Sequence, residues 1–312
     1  MISEMNKEGK AEVRAMITRA DPGRTNKGTP YLSLTLEDKS GVLDAKFWNL
    51  TDAQVAQWHT GQIVDAKGDI IIHRNAIQFR IRKMEEAEGD ILDYARQAPV
   101  SYEEMKREID GLIDSIGNEK YRDIVKELIG SHEKEFYTYP AATKNHHNFV
   151  GGLAWHTLSM ARAAEALLPL YPFLDRDLLM AGILLHDFGK VEELSGPMLT
   201  EYTNEGNLLG HIVMAAGVIE RTAENLGYER DEDLVLLEHL VLSHHGKLEY
   251  GSPVLPMVPE AEVLNLVDNL DARLFMMKAA LDAVEPGHFG PRVFALDNRM
   301  LYRRKGKSED EA

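Results

Sequence analysis

Histidines and aspartates in the second half of this chain are spaced as metal chemistry requires. His156 lies in GGLAWHTL, His186-Asp187 in LLHDFGK, His211 in LLGHIVM, His244-His245 in LSHHG and Asp268 in AEVLNLVDNLDARLF. Imidazoles and carboxylates are the donor set for Mn, Fe, Co or Zn. The chain has no cysteine, so thiolate sites and disulfides are excluded. Taken singly, each residue has a plainer reading, since a lone histidine on an apolar helix usually makes one hydrogen bond in the core or at the surface. Two features are harder to explain that way. Asp268 sits in an otherwise apolar segment, where a carboxylate needs a cation or a proton to be buried. The run LLMAGILLHD delivers two polar side chains at the end of a stretch that must be buried.

The elements that position these residues read as helices. Helical patterns are expected from Ser101 onward, then at about 119–130, 152–168, 175–188, 207–226, 231–245 and 260–284. Ser101 followed by Glu104 has the form of a capping box. Ile109, Leu112, Ile113 and Ile116 form one stripe. Gly117, Gly130, Pro140, Pro169, Pro172, Gly196-Pro197 and Gly227 punctuate the pattern. Helix ends that bring His156, His186-Asp187, His211 and His244-His245 together would build one pocket.

Residues 9–84 follow a different period. Val13, Ala15 and Ile17 alternate with Arg14, Met16 and Thr18. Leu32, Leu34 and Leu36 alternate with Tyr31, Ser33 and Thr35, and Leu43, Ala45 and Phe47 with Asp44, Lys46 and Trp48. Two further strands, GQIVDAKGDIII and AIQFRIRKM, meet at His73-Arg74-Asn75. Five strands with a short helical insert between the third and fourth suit an OB-type barrel, although spacing alone also allows another small barrel. Such barrels bind single strands on the outer face of strands two and three. The outward set is Tyr31, Ser33, Lys46 and Trp48, joined by Arg80 and Arg82. Arg24 and Lys27 stand in a loop read from Pro22 to Pro30. Trp48 could instead cover the barrel end.

The order His156, His186-Asp187, His211, His244-His245, Asp268 resembles the HD superfamily of metal phosphohydrolases, and LLHDFGK resembles its HD-x-G-K variant. HHNFVGGLAWHTL, SHHG and the barrel in front are similar to the YhaM-type 3′→5′ exoribonucleases, over nearly the whole chain including FALDNRMLYRR. The resemblance implies a multidomain fold: a small all-β OB-type nucleic-acid-binding domain (1–86), a linker with accessory helices (87–140), an all-α HD helical bundle (141–286) and a C-terminal extension (287–312). It implies two divalent metal ions, manganese first, with cobalt, iron or zinc as alternatives. His156, His186, Asp187 and Asp268 would hold one ion, and Asp187, His211, His244 and His245 the other, with Asp187 as the bridge. Such ions activate water for in-line attack on phosphorus. Lys190 would contact a phosphate oxygen, or else be an ordinary lysine at a helix C-terminus. His146 and His147 would touch substrate or protonate the leaving group, or else form a surface pair. For Asp271, one turn beyond Asp268, a capping or salt-bridge role is preferred.

The formal net charge of −16 argues against a general nucleic-acid binder, but it is unevenly spread. Residues 1–84 carry 13 Lys/Arg against 10 Asp/Glu, a net of +3, which leaves −19 for the remainder. The implied substrate is single-stranded RNA, with single-stranded DNA as a second candidate, cut to nucleoside monophosphates. The alternatives are an HD phosphohydrolase of small or cyclic nucleotides with a regulatory barrel, and a binding protein with a degenerate site. No apolar run approaches the roughly 20 residues of a membrane span. The opening MISEMNKEGKAEV is too polar for a signal peptide. A cytoplasmic protein without membrane partners is expected. A homo-oligomer is allowed, with the helices of 101–138 as a candidate interface. The final KGKSEDEA is expected to fray.

Overall fold

Alternating apolar residues fold the first part of the chain into a closed five-stranded barrel in this computed structural model, which describes residues 1–5, 7–73, 76–143, 147–282 and 284–306. His146, Arg74-Asn75 and the tail from 307 lie outside the described residues. Contacts divide the chain into one unit ending at Gln97 and one beginning at Ala98.

The barrel strands are β1 (Gly9–Arg24), β2 (Pro30–Asp38), β3 (Gly41–Phe47), β4 (Ile63–His73) and β5 (Ala76–Ala87), in the order β1-β2-β3-β5-β4. Pairing is antiparallel except between β3 and β5, and β4 closes onto β1. The inward residues Val13, Ala15, Ile17, Leu32, Leu34, Leu36, Leu43, Ala45, Val64, Ala66, Phe79 and Ile81 form the core. A helix (Asp52–Gln57) stands between β3 and β4, and Thr51 and Gln54 cap it reciprocally. This is the OB-fold plan. Two details differ from the pattern of the sequence. Met16 is buried although it alternates with Ala15 and Ile17, because it lies opposite buried Ile63 on β4. Pro22 to Arg24 continue β1 instead of starting a loop, because they keep their ladder with β2 through to Pro30.

The second unit is helical. Its main helices are Tyr102–Asp114, Glu119–Ser131, Gly152–Leu167, Arg176–Leu185, His211–Asn225, Glu232–Ser243 and Pro259–Asp282. Side chains of Ser101, Asn118, Asp175 and Asp231 each accept a backbone N–H at a helix start. Leu178 through Leu185 are all buried, so the Arg176–Leu185 helix is enclosed on every side. It shares one apolar core with residues from Met105 to Val267. The single helix expected over 207–226 is two, Asn204–Leu209 and His211–Asn225, because Gly210 takes φ +74°. This break makes His211 the first residue of its helix. The C-terminal extension contributes a hairpin, β6 (Phe289–Val293) with β7 (Arg299–Tyr302). Among the described residues no helix is long and apolar enough to cross a membrane.

Candidate functional site

Three helix ends and one helix face converge on Asp187. His186 caps the Arg176–Leu185 helix and Asp187 follows it. His211 opens its helix, His244 caps Glu232–Ser243, and His156 faces them from Gly152–Leu167. Asp187, His156, His186 and His244 are buried. His186 Nε2 lies 3.3 Å and His156 Nε2 4.0 Å from Asp187 Oδ2. His211 Nε2 lies 3.4 Å and His244 Nε2 3.7 Å from Asp187 Oδ1. His156 Nε2 is 3.2 Å from Asp268 Oδ1. One donor atom from each of Asp187, His211, His244 and His245 falls within a single 4.8 Å cluster. So does one from each of His156, His186 and Asp187.

These residues fit a metal. Ligand atoms on one ion at roughly 2.0–2.2 Å stand about 3–3.5 Å from each other, close to the spacing around Asp187. The tautomers agree. His186 Nδ1 donates to the Ile183 carbonyl at 2.8 Å, His244 Nδ1 to that of Val241 at 2.7 Å and His245 Nδ1 to that of Tyr250 at 2.7 Å. His211 Nδ1 donates to Glu193 and His156 Nδ1 to Asp271. Each acceptor is an oxygen without a proton to give, so each ring carries a proton on Nδ1 and turns Nε2, the atom left for a metal, inward. Nε2 of His186, His211 and His244, together with Asp187 Oδ1, are buried without a hydrogen-bond partner. Orphaned acceptors facing one carboxylate are costly unless a cation completes them.

The electrostatics match. Burial works against ionisation of Asp187, but Lys190 and His186 hold it well below the usual carboxylate range. Burial, with His245 and His186 nearby, pushes His244 well down, as burial and His211 do His245, so both rings favour the neutral form that a metal requires. His156 is the exception. Burial opposes its charge, yet Asp268 and Asp271 outweigh it and raise the imidazole to about 9.

Lys190 Nζ donates to Asp187 Oδ2 at 2.6 Å. It is the first residue of the Lys190–Glu193 helix, a single turn in which it is also the one basic residue near the C-terminal end. Gly189 before it packs against the His211 carbonyl so closely that a Cβ there would overlap that oxygen. His147 is buried at 2 % exposure, which rules out a surface pair; its Nε2 donates to Asp271. Asp271 is indeed a carboxylate partner of histidines, but one within the site. Sequence reasoning missed Glu193, whose Oε1 holds His211, and Asn265, whose Nδ2 donates to the His244 carbonyl at 2.7 Å. The signal for Glu193 was a second carboxylate six residues beyond Asp187 in HDFGKVEEL.

On the barrel, Ser33 pairs with Lys46 across β2 and β3, and Lys46 with Arg80 across β3 and β5. These three form one outer row. Beside it the Tyr31 and Trp48 rings lie 4.5 Å apart between centroids at a tilt of 33°, and Lys46 Nζ stands 5.4 Å over the Tyr31 ring. Trp48 is 37 % exposed and so available to a ligand. Of the outlying residues, Arg24 donates to Asp52 and to the Gly28 carbonyl, Arg82 pairs with Asp69, and Lys27 is exposed.

Residues 153–273 match the HD domain family, and residues 11–87 match a family described as an OB-fold nucleic acid binding domain. Across 296 residues, 94% of this chain and 91% of the relative, the sequence is 45% identical to the 3′-5′ exoribonuclease YhaM of Geobacillus sp. (strain WCH70). Among solved structures, PriB of Ralstonia solanacearum is similar over 25% of this chain and 97% of its own (14% identity, TM-score 0.24). The single-stranded DNA binding protein of Thermus aquaticus, as a deletion mutant, is similar over 26% and 42% (18% identity, TM-score 0.23). At such scores neither structure carries an argument.

Proposed function

The chain belongs to the YhaM family of 3′-5′ exoribonucleases, and from that premise we propose that it shortens single-stranded RNA from the 3′ end, hydrolysing phosphodiester bonds to release nucleoside monophosphates. The observation that carries this reading is the set of inward Nε2 atoms around Asp187, each fixed by an Nδ1–H bond on the far side of its ring.

The reading takes two divalent ions. His156 and His186 lie on the Oδ2 side of Asp187, with Asp268 against His156, and His211 and His244 lie on the Oδ1 side, with His245 in the same cluster. Two donor groups meeting different oxygens of one carboxylate support a bridged pair. The sulfur-free nitrogen and oxygen donors suit manganese, cobalt, iron or zinc, and this reading takes manganese first. When bound, divalent ions lower the pKa of water and offset charge on a phosphate. The chain's own residues supply the rest. Asp187 brings its negative charge, and Lys190 beside it gives a cation within reach of a phosphate oxygen. Buried Leu185 and Phe188 flank His186-Asp187 in the chain, and apolar surroundings strengthen the charges they enclose.

The barrel row of Ser33, Lys46 and Arg80, with the Tyr31–Trp48 pair, supplies cations for phosphates and rings for bases. Arg24, Lys27 and Arg82 would add phosphate contacts, Arg24 and Arg82 by leaving their aspartate partners. Single-stranded DNA is a second substrate in this reading, since the barrel face would stack bases of either kind. The protein would work in the cytoplasm, where single-stranded RNA is at hand.

The acidic helical half also suits small nucleotides, and one experiment separates the two substrates. Purified protein with Mn2+ and a 5′-labelled single-stranded RNA should give a ladder shortening from the 3′ end. Turnover of mononucleotides or cyclic nucleotides with the RNA left intact would replace this function with the small-substrate one.

A further inference from the structure

One carboxylate oxygen holds two histidines at the edge of the metal site. Asp271 Oδ2 accepts from His156 Nδ1 at 2.7 Å and from His147 Nε2 at 2.7 Å. His156 differs in this from His186, His244 and His245, whose Nδ1 atoms rest on backbone carbonyls. A carbonyl is fixed by its helix or turn. Asp271 is a side chain on the Pro259–Asp282 helix, and its direction must be set by something else.

His147 is suited to set it. Its ring stands 4.3 Å from that of Phe275 and 5.2 Å from that of His156. Its backbone takes φ +48° and its carbonyl accepts from Ala141 N at 3.1 Å. A buried histidine held by ring packing and by its main chain offers a fixed donor.

The three groups do not form a further ion site. Their donor atoms lie 2.7 Å from the shared oxygen, at hydrogen-bond length. Ligands of a common ion stand about 3–3.5 Å apart.

We propose that His147 and Asp271 are positioning residues for the metal centre: His147 aims Asp271, and Asp271 orients His156 and makes its Nε2 a stronger ligand. A carboxylate behind a ligating imidazole raises its basicity and fixes its rotation. The proposal rests on the metal-site reading above. It moves His147 from direct contact with substrate to action through two intermediaries.

The test measures Mn2+ affinity by equilibrium dialysis of the full chain, together with RNA hydrolysis at saturating Mn2+. Asp271→Asn should weaken Mn2+ binding roughly 10–100-fold, with activity recovered by excess metal. His147→Ala should weaken binding several-fold, and the double variant should be no worse than Asp271→Asn alone, as expected for a single chain of contacts. Should Asp271→Asn fail to fold by circular dichroism, His147→Ala decides alone, since it leaves the Asp271–His156 bond intact. Unchanged Mn2+ affinity in His147→Ala with hydrolysis lost at saturating metal overturns the assignment in favour of substrate contact. Unchanged affinity in Asp271→Asn overturns it as well. A wild-type chain that binds no Mn2+ removes the metal-site reading and this assignment with it.

Discussion

Glu193 Oε1 accepts two hydrogen bonds from His211, one from the backbone N–H at 3.0 Å and one from imidazole Nδ1 at 3.1 Å. The first holds the start of the His211–Asn225 helix and the second fixes the ring, so one buried carboxylate sets both position and tautomer. Burial opposes its charge, but His211 holds Glu193 below its ordinary range. Glu193→Ala should therefore weaken metal binding on the Asp187 Oδ1 side by roughly 10–100-fold. Glu193→Gln, which keeps an acceptor oxygen, should lose less. Metal titration of the two variants checks this order.

Metal uptake should depend on pH through His156. Its imidazole is raised from 6.5 to about 9, so below that value an incoming ion must displace a proton. Affinity should then rise by about tenfold per pH unit between pH 7 and 9 and flatten above. In the chelator-treated protein the sign is reversed. A raised pKa contributes stability that is fully present below 6.5 and lost as pH rises through about 9. The melting temperature of the stripped protein should fall across that window. With saturating Mn2+ the fall should vanish.

Gly189 packs against the His211 carbonyl with no room for a side chain. Gly189→Ala should force the Asp187–Lys190 turn and the His211 helix apart, at a cost on the order of 1–3 kcal/mol. Thermal denaturation would register the loss, and metal content should drop with it.

The aromatic pair on the barrel should carry oligonucleotide affinity. Each base–aromatic contact is worth about 1–3 kcal/mol, so Tyr31→Ala with Trp48→Ala should weaken single-stranded RNA binding by at least roughly tenfold. Binding should be measured in an Asp187→Asn background to prevent digestion. Full affinity in the double variant would remove this face from the account.

Much of this arrangement was legible in the chain itself. Leu32, Leu34 and Leu36 alternate so regularly that the β2 face could be assigned by eye, and the apolar run before His186-Asp187 marked where a buried helix would end. The hydrogen-bond partners of these histidines were not. Asp271 meets His147 and His156 across 124 and 115 residues of sequence. Nothing local distinguishes it from a surface aspartate on a long helix. The break at Gly210 was hidden for another reason: apolar residues on both sides keep a helical period, and only the positive φ separates the two segments. The β6–β7 hairpin is short, with sparse alternation, and gave no strand signal.

The central claim is that Asp187 bridges two ions. Crystals grown with Mn2+ and measured at the manganese absorption edge test it most directly. Two anomalous peaks are expected, one against Asp187 Oδ2 with His156, His186 and Asp268, the other against Oδ1 with His211, His244 and His245. A map without a peak beside Asp187, or with one peak touching a single oxygen, would contradict the account.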